Sequence, residues 1–303
     1  MQRRAIQLAK NTIVISLPSS WIKQKGIKKG DELRVEESAG SLVISTGAQQ
    51  EIKRRVVDAT GLTERTLRWA LSGLHKQGVD EIEIQYANPF TVQIVQDLIR
   101  DTFLGFALIS QKDKSLVIRQ ISRDADDQFD VVLRRSLLVT LSLTEGFADA
   151  LQRKDWEELT SLEYQEKTNN QLTNFCIRLI HRGEAGAAYP MMYHTLLWNM
   201  EKIADEYKHM IHKIPKKPIV QSQIVQAMND TASLLRLFYN CFYQGDLNSV
   251  NDVADKRAAL QHTVQNLLHS QHGFSRDLAH HTQQVITRIG DLCSCLASIR
   301  TYG

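Results

Sequence analysis

The stretch Met200-Glu201-Lys202-Ile203-Ala204-Asp205 returns in outline 86 residues later as Ile286-Thr287-Arg288-Ile289-Gly290-Asp291, and Met210 then falls opposite Leu296. Self-similarity at a fixed spacing marks a duplicated structural unit. Apolar residues around both copies recur with the 3.6-residue period of a helix, a texture that holds from Asp124 onward. It predicts helices over 128–153, 155–181, 187–213, 220–245, 247–270 and 273–300, with breaks at Arg182-Gly183, Pro215-Lys216-Lys217-Pro218, Gly245-Asp246 and Gly273. Short connections make neighbouring helices antiparallel. Residues 124–303 therefore read as an all-α body of two three-helix bundles, 124–214 and 219–303, joined at the proline-flanked segment.

Upstream the texture changes. Residues 50–122 alternate a strand (53–57), a helix (63–77, with Leu67, Ala70, Leu71 and Leu74 on one stripe), a strand (81–86) and a helix (90–103). A hairpin of 106–110 and 115–120 follows, turning through Gln111-Lys112-Asp113-Lys114. This is a small α/β domain, and no glycine-rich phosphate loop follows any of its strands. Residues 1–47 form a strand-rich unit: strands at 5–8, 12–17, 31–36 and 41–45, a short helix after Pro18 closed by Gly26, and turns at Ala9-Lys10-Asn11, Gly30-Asp31 and Ala39-Gly40-Ser41. So small a unit makes a weak lone core, which favours pairing with a second copy. The class is multidomain α+β.

Of 303 residues, 37 are Lys or Arg and 34 Asp or Glu, a net charge of +3. Residues 1–30 hold seven cations, Arg3, Arg4, Lys10, Lys23, Lys25, Lys28 and Lys29, and no acid. Such a head suits a polyanion, though a solvated basic face beside a protein interface has the same composition. At 43% hydrophobic residues in periodic runs, a largely disordered chain is excluded. Cys176, Cys241, Cys293 and Cys295 lack zinc-knuckle spacing and read as free buried thiols. With no signal-peptide run and no apolar stretch of spanning length, the expectation is a cytoplasmic protein without membrane insertion.

The run Thr12-Ile13-Val14-Ile15-Ser16-Leu17-Pro18-Ser19-Ser20-Trp21, followed by Gly26-Ile27-Lys28-Lys29-Gly30-Asp31-Glu32-Leu33, resembles the swapped-hairpin DNA-binding domain of the AbrB/SpoVT family. The resemblance covers residues 3–45. It implies an intertwined homodimer on double-stranded DNA, with Arg3, Arg4 and Lys10 as first contacts, Lys23 and Lys28 as further ones, and Pro18 and Gly30 in structural roles.

Glu201 and Asp205 stand one helical turn apart, where a solvated pair and a shared divalent cation are both open readings. The phrase Glu201-Lys202-Ile203-Ala204-Asp205 resembles the Glu-x-x-x-Asp signature of the PhoU family, proteins of two repeated three-helix bundles that regulate phosphate uptake and signalling and often bind metal clusters. The resemblance extends over 125–300. It implies metal ligation by Glu201 and Asp205, with Glu163 and Glu166 from the preceding helix. In the second copy Thr287 replaces the glutamate and leaves Asp291, beside Asp252 and Asp255, so that half is weakened. The ion is Mg²⁺, Zn²⁺ or iron, and no organic cofactor is expected.

The histidine pairs His209/His212, His269/His272 and His280-His281 accompany no His-Glu-x-x-His arrangement and read as solvated or helix-capping. Trp156, Trp198, Phe238, Phe242 and Tyr243 read as bundle packing. No nucleophile, acid and pocket can be placed together, so an enzyme is not expected. Two readings stand: a DNA-binding transcriptional regulator linked to phosphate homeostasis, its helical body sensing metal or contacting partners, or a non-DNA-binding accessory that restrains a phosphate transporter or its signalling kinase.

Overall fold

The computed structural model describes residues 3–38, 41–46, 52–121, 128–185 and 189–301. The expected turn residues Ala39 and Gly40, and the expected boundaries at 47–50 and 122–124, lie outside them. The chain forms two compact units, Met1–Glu51 and Ile52–Gly303.

In the first unit, β1 (Ile6–Ala9) pairs antiparallel with β2 (Thr12–Val14), and β3 (Leu33–Ser38) with β4 (Ser41–Thr46). Between the two hairpins lies α1 (Ser19–Lys25), begun by Pro18 and ended by Gly26 at φ 64°, a left-handed conformation that glycine adopts without steric cost. β2 is shorter than the 12–17 expected. Ile6, Leu8, Ile13, Val14, Ile15, Val35 and Leu42 are all exposed within one chain.

The second unit opens with a four-stranded sheet in the order β5 (Arg54–Asp58), β6 (Glu81–Gln85), β8 (Ser115–Gln120), β7 (Phe106–Lys112). β5 and β6 are parallel, linked through α2 (Glu64–Lys76), which Thr63 caps by accepting from Thr66 N; the other pairs are antiparallel. Strand alternation puts Ile82 opposite Ile118 and Ile84 opposite Leu116. These buried side chains share a core with Leu67 and Leu71 of α2 and Ile94, Val95 and Leu98 of α3 (Phe90–Asp101). The β7–β8 turn uses Asp113 and Lys114, both at positive φ, as a tight two-residue hairpin requires.

The helical body contains α4 (Gln128–Arg153), α5 (Trp156–Ser161), α6 (Glu163–Arg182), α7 (Pro190–His212), α8 (Ser222–Gln244), α9 (Ser249–Ser270) and α10 (Gly273–Arg300). The helix expected over 155–181 is interrupted at Leu162. Thr160 and Ser161, at the end of α5, donate their hydroxyls to the carbonyls of Trp156 and Glu158. α4, α6 and α7 pack on one another, as do α8, α9 and α10, and extensive α7–α10 and α4–α8 contacts make the apolar core continuous. The repeat positions match in burial: Met200 and Ile286, Ile203 and Ile289, and Met210 and Leu296 all face inward. All four cysteines are free and buried, and among the described residues no helix is long and apolar enough to cross a membrane.

Candidate functional site

α7 carries the chemistry. One of its faces holds the signature carboxylates, placed by the helical period beside α6. Glu201 lies 3.6 Å from Lys76 Nζ and 3.5 Å from Lys202 Nζ. Asp205 accepts from Lys202 at 2.8 Å and from Lys208 at 3.0 Å. Lys208 also donates to Glu166 of α6, whose carboxylate accepts from Asn170 Nδ2 at 2.7 Å. Burial pushes the Glu166 carboxyl above its ordinary value, with the Lys208 ammonium opposing. For Asp205, burial pushes upward but the hydrogen bonds and charges of Lys202 and Lys208 outweigh it and hold the carboxyl low. Thus Glu166, Glu201 and Asp205 are brought together, with two lysines between them. An ion shared by these carboxylates would have to displace those ammonium groups.

The remaining sequence candidates are dispersed. Glu163 lies 3.4 Å from His212 Nε2, Asp291 3.4 Å from Arg288 Nη1, and Asp252 and Asp255 are exposed on α9. Arg3, Arg4, Lys10, Lys23 and Lys28 are exposed in the first unit, Lys10 at the β1–β2 turn and Lys23 in the last turn of α1.

Two readings of α7 and α10 are corrected. Trp198 is not bundle packing: it is 43% exposed, with the Lys202 ammonium 4.8 Å and the Lys76 ammonium 5.6 Å from its ring centre. Nor is His281 solvated or capping. It is 7% exposed, because α10 turns it toward α7, where its Nδ1 lies 2.6 Å from Glu206 Oε2. His209, one turn beyond Glu206, places its ring centre 5.7 Å from that of His281.

Glu206, His209 and His281 each offer a ligand atom, all within 4.8 Å of one another, and together could hold a divalent metal ion. Two imidazoles and a carboxylate suit a first-row transition ion or zinc better than Mg²⁺, which prefers all-oxygen sites. The sequence contained one signal for this group: Glu206-Tyr207-Lys208-His209 sets a carboxylate and an imidazole three residues apart, on one helical face. The equal three-residue spacing of His209 and His212 competes with that signal, and the contribution of α10 has no local sign.

No protein-family model matches this chain, and no curated protein does. Among solved structures, the phosphate transport system regulatory protein PhoU from Streptococcus pneumoniae is similar over 58% of this chain and 95% of that one, with 14% sequence identity and a TM-score of 0.47.

Proposed function

We propose that this chain is a non-enzymatic accessory protein that restrains a phosphate transporter or its signalling kinase through protein contacts made by the helical body. The observation that carries the contact role is Trp198, a half-exposed aromatic on α7 flanked by Lys76 and Lys202 beside Glu201. An exposed tryptophan ringed by charged groups has the composition of a protein-contact hot spot. The link to phosphate rests on the resemblance of the Glu201 to Asp205 phrase on that same helix. In this reading residues 124–303 act as two related three-helix bundles, and residues 1–47 exchange hairpins with a second copy, which would cover the exposed Leu8, Ile13, Ile15 and Leu42. Co-purification of the full chain with the detergent-solubilised transporter, and separately with the kinase, tests it. Capture of one of them, weakened at least tenfold by Trp198→Ala, is expected; capture of neither overturns it.

A second reading, a transcriptional regulator, draws on the exposure of Arg3, Arg4, Lys10, Lys23 and Lys28. It requires sequence-specific binding to upstream duplex DNA at physiological salt, lost in an Arg3/Arg4/Lys10 triple alanine variant. Equal weak binding to every duplex, unchanged in that variant, removes this reading.

A further inference from the structure

We propose that Glu206, His209 and His281 form a zinc site that ties α7 to α10. This site is separate from the Glu201 and Asp205 carboxylates and does not depend on which partner the helical body contacts.

Three observations converge on it. First, the donors are of the right kind and number: two imidazole nitrogens and a carboxylate oxygen make a three-ligand set that leaves a fourth position for water. Second, His281 is more than nine-tenths buried, and its Nε2 has no hydrogen-bond partner although its Nδ1 meets Glu206. A buried imidazole nitrogen without a protein partner is a donor waiting for an acceptor of its lone pair or its proton. Third, the ligands come from both sides of a seam. Glu206 and His209 project from one face of α7, and His281 projects from α10, the helix that carries the matching copy of the repeat.

Ligands around a tetrahedral zinc ion stand roughly 3.5 Å apart. The present group, whose ligand atoms all lie within 4.8 Å of one another, needs about an ångström of closure, and His209 is the exposed one of the three. The carboxylate that now faces the His281 ring would then neutralise part of the ion's charge. An ion held there crosslinks the two halves of the body, so occupancy would change how freely α7 and α10 move against each other.

The test uses the full chain, stripped with a chelator and titrated calorimetrically with Zn²⁺, and in parallel with Co²⁺ read by its visible absorption. One Zn²⁺ per chain and a Co²⁺ spectrum of low coordination number are expected. His209→Ala removes an exposed side chain, so it preserves the fold, as circular dichroism would verify. It should weaken zinc binding by more than the roughly 10–100-fold that loss of a supporting partner costs. Glu206→Gln should act in the same direction, whereas a Glu201→Gln, Asp205→Asn double variant should bind as the parent does. Absence of stoichiometric zinc binding overturns the proposal. So does binding that His209→Ala leaves unchanged, or binding lost in the Glu201, Asp205 variant but kept in His209→Ala. Loss of partner capture in the Trp198→Ala variant leaves the zinc result unaffected.

Discussion

Arg178 of α6, wholly buried, donates from Nη2 to Asp80 Oδ1 at 2.7 Å in the turn between α2 and β6. Its Nη1 reaches the carbonyls of His75 at 2.9 Å and Val79 at 2.8 Å, and Nη2 also meets Gln120 Oε1 at 2.7 Å at the end of β8. One guanidinium from the helical body thereby closes the carbonyls at the end of α2 and both strand ends next to it. A planar fork with donors on two sides can do this; an ammonium cannot. Arg178→Ala is expected to cost about 3 kcal/mol, because the buried His75 and Val79 carbonyls lose their charged donor while Asp80 keeps Arg182 Nη1 and the Lys53 N–H. Asp80→Val takes the carboxylate from Arg178, Arg182 and the Lys53 N–H together and should cost at least as much. Urea unfolding of both variants decides this, and an unchanged midpoint for Arg178→Ala contradicts the role given to it.

His75 supplies a pH dependence. It is fully buried, stacked on Phe103 with ring centres 4.6 Å apart, and both its nitrogens lack a hydrogen-bond partner. Burial first, then the charges of Arg178 and Lys76, hold its pKa well below the ordinary 6.5. The folded protein therefore keeps the ring neutral while the unfolded chain takes up a proton below pH 6.5, so stability should fall as the pH drops below that value. His75→Phe should flatten this acid limb and leave stability at pH 7 equal or higher. Thermal melts between pH 5 and pH 7, run on parent and variant, read it directly, and parallel curves would show that another group sets the slope.

The Glu166 and Lys208 pair predicts an asymmetry. Lys208→Met strands a buried carboxylate whose pKa burial already raises, and should cost about 3 kcal/mol at pH 7. Protonation relieves the stranded charge, so the deficit should shrink as the pH falls. Adding Glu166→Gln to Lys208→Met should recover part of the loss at pH 7. A double variant no more stable than Lys208→Met would mean the ammonium acts chiefly on Asp205.

Exposed apolar residues in the first unit predict self-association. Leu8 is 73% and Ile13 70% exposed within one chain, on strands whose partner is each other. The full chain should have the mass of two copies in solution, and a Leu8→Lys, Ile13→Lys variant that of one, with helical circular dichroism unchanged. A parent chain that is already monomeric at micromolar concentration defeats the pairing.

Helices and strands were legible in the sequence because their signals are local. The period of Leu67, Leu71 and Leu74, the Gln111 to Lys114 turn and Gly183 after α6 each act within a few residues. The interruption at Leu162 was not legible, because it falls within a segment whose apolar period is unbroken. At the candidate site, Glu201 and Asp205 could be placed on one face from spacing alone. That Lys202 and Lys208 neutralise them could not be read, since spacing fixes a side chain's direction but not which of several charged neighbours it meets.

What this sequence determined by itself was a strand-bearing basic head, strands alternating with helices after it and a long helical body, through hydrophobic period and turn chemistry. The tertiary structure alone decided which distant groups became neighbours. Arg178 meets Asp80 across 98 positions, and His281 meets Glu206 across 75. The first depends on how α6 packs against the turn between α2 and β6, the second on how α7 packs against α10, where the register between the two helices selects the facing side chains. A change of one turn in that register would leave every helix intact and dissolve the Glu206, His209 and His281 group.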